Sequence, residues 1–375
     1  MERWDAIVVG AGPAGCAAAY DLAKAGRAVL LLDRAEFPRH KACAGGLTRK
    51  SLRALRYSVE PVVRETVSAI VVEKNREESL QLASRTAVCA MTVRQELDDY
   101  CLRQTMEAGA QFDHIGRITA VAETGDGVTV ETAERKYAGR FLVGADGVHS
   151  RVRQLVFGDA PAWFRRGFAL EAQVYPEDRR SSALIFDFAP VRHGYGWVFP
   201  KRDHLNVGLG VYDDSGTEKL DRARLGLYIH GRLGDARVEQ VTGQYLGFGA
   251  ENAPTVAGRI FLVGDAGGFA DPLTGEGIYG AIASGQAAAE AIERELRGKP
   301  AADRTFARRT KQLRQDLRLS ASGARWFYGN LDPGYRALTA PVFRRAVINA
   351  YANGTKIAAL ASAVRRFARV FAASG

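Results

Sequence analysis

Gly264–Ile278 reads GDAGGFADPLTGEGI. An apolar run, Arg259-Ile-Phe-Leu-Val263, precedes it, and a small-residue segment, 279–296, follows it. The spacing predicts a strand, a glycine-rich turn carrying one fixed carboxylate, and then a helix start. A helix start offers unpaired N–H groups and the positive end of the helix dipole, so this order suits a phosphate-bearing ligand. About 250 residues upstream the chain makes a similar unit. Ala6–Val9 is apolar, Gly10–Gly15 is GAGPAG, 16–25 is a small-residue helix closed by Gly26, and 28–32 is a second strand. Two such units so far apart predict a chain that returns to one long ligand. The pattern implies an α/β fold.

Between the two units the character changes. Residues 160–250 alternate apolar and polar positions, as at 168–175, 183–188, 196–199 and 206–211, which predicts an antiparallel sheet. A helix is expected over 92–110, strands over 128–131 and 141–143, and a loop over 35–50. Residues 301–375 read as mostly helical, broken near 329–334 and at Pro341. The expected architecture is a Rossmann-like nucleotide-binding domain from 1–160 and 251–300. An antiparallel substrate domain over 161–250, drawing on part of 60–92, is inserted in it, and a helical region over 301–375 follows.

Composition narrows the function classes. The 375 residues are 47% hydrophobic and 25% charged, an ordinary globular balance. No apolar run reaches the ~18 residues needed to span a bilayer. The first strand begins almost at the N-terminus, so no signal peptide and a cytoplasmic chain are expected. Cys16, Cys43, Cys89 and Cys101 form no CxxC pair, and with six His no metal site is expected. The net charge of +10 is concentrated at the end: residues 304–375 carry fourteen Lys and Arg against two Asp. Lys356, Arg365, Arg366 and Arg369 lie beside a helical apolar stripe, 357–371. Two readings stand side by side: a peripheral membrane contact, or a helix capping the substrate domain. No recognised nucleic-acid module is present, so no nucleic-acid partner is expected.

In Gly10–Gly15, Gly10 permits the tight turn, Gly12 lets backbone approach a pyrophosphate, and Gly15 lets helix pack on strand. Pro13 and Ala14 open the helix. Asp33 ends the second strand, where a carboxylate accepts from adenosine ribose hydroxyls and disfavours a 2′-phosphate. Arg34 follows it. Arg94 begins a helix with Asp98 one turn on, and can reach phosphate or ribose oxygens. Asp146 of GADG (144–147) sits at another strand end. Asp265 is placed for a ribityl hydroxyl. The turn through Gly275 and Gly277 to Ile278 can present N–H groups to a flavin pyrimidine edge. Together these predict FAD as the cofactor.

On GAGPAG at 10–15, KACAGG at 41–46, the Arg94/Asp98 pair, GADG at 144–147 and GDAGGFADPLTGEGI at 264–278, the chain resembles the flavoprotein group that includes p-hydroxybenzoate hydroxylase. Tyr195-Gly-Trp-Val-Phe-Pro200, followed by Gly208-Leu-Gly210, resembles the YxWxFP…GxG pattern of the geranylgeranyl reductase family. The resemblance spans roughly 4–300. It implies FAD contacts at Ala14, Asp33, Cys43, Ala44, Gly46, Arg94, Asp265, Gly275 and Ile278, and a backbone contact to adenine near Ile118. It implies reduction of isolated C=C bonds in an isoprenoid or other apolar lipid chain.

Tyr195, Trp197 and Phe199 alternate along a strand ended by Pro200 and therefore share one face. With Gly208 and Gly210 they are the expected substrate wall. Cys43, Tyr195 and Trp197 are the candidates nearest the reacting centre; the chemical role of Cys43 is left open. Glu276 reads as a first-turn acid, with a proton relay as the alternative. No second GxGxxG unit follows a strand, so electrons are expected from transient NAD(P)H docking or another reduced carrier. Two rivals use the same fold: a FAD-dependent monooxygenase on an apolar or aromatic substrate, and a flavin-holding protein without turnover.

Overall fold

The structure is a computed structural model. It describes residues 3–159, 161–177, 182–212, 218–353, 360, 363 and 364. The basic stripe 356–371 falls almost wholly outside the described residues.

Arg3–Val9 forms the centre of a parallel sheet because Ala6–Val9 is apolar on both faces, and every one of those four side chains is buried. Val29–Asp33 pairs with it on one side and Lys136–Gly144 on the other. Ile260–Leu262 adds outside Lys136–Gly144, also in parallel, and Gln111–His114 adds outside Val29–Asp33. The N-terminal strand therefore has as close neighbours segments more than a hundred residues away. An antiparallel flap, Ile118–Thr124 with Gly127–Thr132, continues from Lys136–Gly144.

Two helices cover one face. Pro13–Lys24 starts with Pro in its first turn, where the missing N–H has no helical partner to lose. Ile278–Leu296 packs on it through small residues. At the crossing a Cβ on Gly285 would stand 2.2 Å from the Ala14 carbonyl oxygen, so backbone meets backbone there.

The second sheet has seven strands among the described residues. Phe164–Tyr175, Leu205–Val211, Gly194–Pro200 and Leu184–Asp187 run side by side and antiparallel, with Arg237–Gly249 beyond Phe164–Tyr175. Gly194–Pro200 and Leu205–Val211 are buried at every position, so both faces of this sheet are covered. Ala69–Lys74 joins Leu184–Asp187 in parallel and brings Glu78–Ala83 with it.

The α/β reading with an inserted, largely antiparallel sheet and C-terminal helices is borne out, with local corrections. The 35–50 loop contains the short strand Gly46–Thr48, which pairs with Cys89–Thr92. A helix, Arg222–Leu233, interrupts the run of strands; Asp221 caps it by accepting from the Arg224 amide at 2.8 Å. Ala302–Gly329 gives way at Asn330 to Leu331–Thr339, so Pro333 and Gly334 lie inside a helix, where Pro333 takes a first-turn position. Arg344–Asn353 follows. No helix among the described residues is long and apolar enough to cross a membrane.

Candidate active site

One cavity of about 1150 Å³ runs from the glycine turns of the parallel sheet to the aromatic face of the second sheet. It exceeds the ~300–1,000 Å³ of an ordinary small-molecule pocket. Its length suits a dinucleotide with a second ligand beyond it.

The glycine end is built from backbone. Gly10 has φ +104°, a conformation that a side chain resists, and a Cβ there would meet the Ala145 carbonyl at 2.4 Å. A Cβ on Gly15 would lie 1.7 Å from the Gly10 carbonyl oxygen, so Gly15 is a packing position and does not line the cavity. Gly10, Gly12, Pro13 and Ala14 do line it, as do Asp33, Arg34 and Ile118. Asp33 braces the turn: it accepts from the Ala11 amide at 2.7 Å and the Ala35 amide at 2.8 Å. The Ile118 carbonyl accepts from Arg151 Nε at 3.2 Å.

Asp146 also faces the cavity, but its oxygens serve its own loop. Ser150 Oγ donates to Oδ1 at 2.5 Å, and the Arg151 and Val152 amides donate to Oδ2 at 2.6 and 3.0 Å. Arg153, buried just beyond, ties this loop to the 264–278 turn by donating to the Val148 and Ala266 carbonyls.

The middle is a run of alternating charges. Arg94 holds Asp98 with Nε and Nη2, both at 2.8 Å, and Arg39 reaches the same carboxylate at 3.0 Å. That geometry uses one edge of the Arg94 guanidinium internally, and Cys43 hydrogen-bonds to the group as well. Burial pushes the Asp265 carboxyl up, against the opposing charge of Lys41. Burial pulls Lys41 down, helped by the Arg94 charge. Gly275, Gly277 and Ile278 line the far end. Glu276 is held by Lys50 at 3.0 Å and accepts from the Tyr279 amide at 2.6 Å. It precedes Gly277, the cap residue of helix Ile278–Leu296, so it stands just outside the helix and is not the first-turn acid expected.

Cys43, Ala44 and Gly46 line the floor where the cavity turns apolar. Here Tyr195, Trp197 and Phe199 do share a face, joined by Phe186, Tyr212 and, from Arg344–Asn353, Tyr351. Phe186 joins the row to the helix, with ring centroids 5.4 Å from Tyr195, 5.1 Å from Phe199 and 5.4 Å from Tyr351. Tyr195 donates to the Thr274 carbonyl, stapling this wall to the glycine turn. Pro200, Gly208 and Gly210 do not line the cavity. Gly208 lies opposite Trp197, and a Cβ on it would sit 2.1 Å from the indole ring; its role is to make room.

Sequence reasoning missed two buried charges beside this wall. Glu171 is a cavity residue on Phe164–Tyr175, and one of its oxygens accepts from the Cys43 amide at 2.7 Å. Lys201 directly follows the YGWVFP strand and donates to the Ala44 and Thr92 carbonyls, which fixes the floor loop. Burial pulls its ammonium down to about 8. The available signals were a lone acid inside the apolar run FALEAQVY and a lysine at a strand end.

A Rossmann-type sheet, a two-ended glycine clamp and an inserted sheet walling the same cavity define a flavoprotein of the FAD-binding class. The family model described as FAD binding domain matches residues 3–311. The chain belongs to the geranylgeranyl reductase family of FAD-dependent oxidoreductases. It is 31% identical to geranylgeranyl diphosphate reductase of Rhodobacter capsulatus, over 80% of this chain and 78% of that protein. It is 30% identical to digeranylgeranylglycerophospholipid reductase 1 of Methanococcoides burtonii, over 78% and 76%. In fold it resembles a geranylgeranyl bacteriochlorophyll reductase-like protein of Thermoplasma acidophilum, with TM-score 0.81, 20% identity, and 98% and 100% of the two chains covered.

Proposed function

We propose that this oxidoreductase saturates isolated C=C bonds in the isoprenoid chain of a lipid. The observation that carries the reading is continuity: the row Tyr195, Trp197 and Phe199 walls the same cavity as the glycine clamp. An apolar chain lying on that row meets the cofactor end-on, in a space with few polar groups. Relatives named for geranylgeranyl and digeranylgeranyl substrates support it.

In this reading Asp33 faces the adenosine ribose, Gly12–Ala14 the pyrophosphate, Asp265 the ribityl chain, and Gly275–Ile278 the ring edge. Reduced FAD supplies a hydride. The protein orients the alkene over it and excludes water. Trp197 is fixed for this task, because its Nε1–H donates to Asn206 Oδ1 at 2.7 Å and its ring rests on Gly208. Cys43 packs at the junction of the two halves. NAD(P)H or another reduced carrier loads the electrons from outside the cavity. Membrane contact through 356–371 rests on sequence alone.

The test is anaerobic. Protein with reduced FAD is mixed with geranylgeranyl diphosphate, and the product is weighed by mass spectrometry. Gain of hydrogen supports the reading. Oxygen incorporated in an aerobic run with an apolar or aromatic substrate, and no gain of hydrogen, moves the chain to the monooxygenase class.

A further inference from the structure

Alkene reduction needs a proton as well as a hydride, and the cavity restricts where it comes from. Among the described residues, five carboxyl groups line it. Asp33 accepts from the Ala35 amide beside it and from the Ala11 amide of the first glycine turn, and Asp146 accepts from amides of its own loop. Asp265 accepts from the Gly247 amide and faces Lys41, and Glu276 is paired with Lys50.

Glu171 is placed differently. It stands on the same face as Ala169, which packs against the aromatic cluster, and in register with Gly208 and Trp197. One oxygen takes the Cys43 amide. The carboxyl also bonds Asn206, whose Oδ1 is already occupied by the Trp197 indole N–H, so the Asn206 NH₂ faces Glu171. The same contacts that aim the indole therefore aim the carboxyl. The other charged groups facing it are the Lys201 ammonium from the strand end and the Arg94 guanidinium from helix Arg94–Glu107; the Cys43 thiol in turn lies near both of those cations. Burial pushes Glu171 up to about 7, against the pull of those hydrogen bonds and cations. The phenols of Tyr195 and Tyr212 are poorer donors, both driven up by burial.

We infer that Glu171 is the acid that protonates the alkene carbon in the aromatic pocket, with the Cys43 amide, Asn206 and Lys201 holding the carboxylate that remains. This rests on the reductase reading. The O–H bond of Glu171 breaks, and its proton forms one C–H bond with the π-electron pair. The hydride forms the second C–H bond. The alkene is reduced by two electrons, the flavin would be oxidised by two, and a proton taken up from the bulk solvent restores the carboxyl. A positioned acid of this kind contributes roughly 10²–10⁴-fold.

Two measurements on the FAD-loaded protein test it. Infrared spectroscopy without substrate is expected to find a carboxyl that titrates near pH 7 in the wild type and is missing from Glu171→Gln, which keeps the acceptor for the Cys43 amide. A Glu171 already ionised at pH 5 overturns the proposal. Next, the reduced flavin is reoxidised anaerobically by geranylgeranyl diphosphate. Glu171→Gln is expected to be at least about 100-fold slower at pH 6. It is also expected to lose the fall in rate that the wild type shows as pH rises through 7, with flavin content retained and a thermal midpoint no lower than that of the wild type. Glu171→Asp, an acid on a shorter arm, should keep the pH dependence at reduced rate, which a merely structural role does not predict. An active wild type with an indifferent Glu171→Gln sinks this proposal alone; a wild type that reduces no prenyl chain sinks the reductase reading and this inference with it.

Discussion

At Gly15, on the parallel-sheet side, a missing side chain lets backbone touch backbone. At Gly208, on the antiparallel side, it lets an indole ring lie against a strand. The two halves of the cavity solve different problems. The nucleotide half meets most of its polar demands locally, with Asp146 accepting amides of its own loop and Asp33 accepting the Ala35 amide beside it and the Ala11 amide from the adjacent strand end. The aromatic half cannot, because its strands use their amides in the sheet. Its few polar groups reach across three strands and a loop, the Trp197 indole to Asn206 and the Cys43 amide to Glu171. Local satisfaction gives a rigid clamp that tolerates loss of one hydrogen bond. A cross-strand network ties ring orientation, protonation and loop position together.

Substitutions can break that contrast. The largest effect is expected at Gly15→Val, where even the first carbon collides with the Gly10 carbonyl. FAD retention should be lost and stability should fall by more than about 4 kcal/mol, read as flavin absorbance per chain and urea midpoint.

Next is the pH dependence of stability. The Glu171 carboxyl has an ordinary value of 4.5 when unfolded and is raised to about 7 in the fold. A raised folded value means that the folded state binds the proton more tightly. The contribution is complete below pH 4.5 and is lost as pH rises through 7. Between those limits the wild type should lose about 3 kcal/mol relative to Glu171→Gln, at 1.36 kcal/mol per unit. Parallel urea curves across that window would remove Glu171 from the buried network.

Gly208→Val should force the Trp197 ring off its strand at about 2 kcal/mol, with shifted indole fluorescence and weaker prenyl binding but full flavin content. Unchanged fluorescence would show that the ring does not depend on the glycine. The smallest effect is expected at Ser150→Ala. Ser150 caps helix Arg151–Phe157 by accepting from the Arg153 amide at 2.9 Å, so its loss should cost about 1 kcal/mol. The neighbouring Asp146 contacts keep the loop in place, and flavin affinity should hold.

The same contrast explains what the sequence revealed. Part of the turn chemistry is local: Gly15 packs on the Gly10 carbonyl and Gly267 on the Leu262 carbonyl, each five residues back, so the spacing of GAGPAG and GDAGG made the clamp readable, whereas the Ala145 carbonyl that Gly10 meets did not show in the sequence. The row Tyr195, Trp197 and Phe199 was readable as one face from its period of two. Which face, and what lay opposite, was not. Gly208 and Gly210 were assigned to the substrate wall, although Gly208 lies beneath Trp197, because strand pairing between 197 and 208 is a long-range fact. Glu171 and Lys201 went unnoticed for the same reason; each looks like an isolated charge until the Cys43 loop is folded against it. Helix Arg222–Leu233 was lost inside a stretch read by strand periodicity.

The strand order has a consequence for synthesis. The cavity is framed first by residues near 10 and 33, then by 94, 146, 171 and 195, and its far rim is set by 264–278 and Tyr351. Ile260–Leu262 must dock beside Lys136–Gly144, and helix Ile278–Leu296 must seat on Pro13–Lys24, before both jaws of the clamp exist. A chain emerging from the ribosome therefore carries its first glycine turn for most of its translation with nothing to close on it. Tight cofactor capture is a late event, and the vitamin-derived group arrives as the keystone of an arch whose stones were laid from both ends.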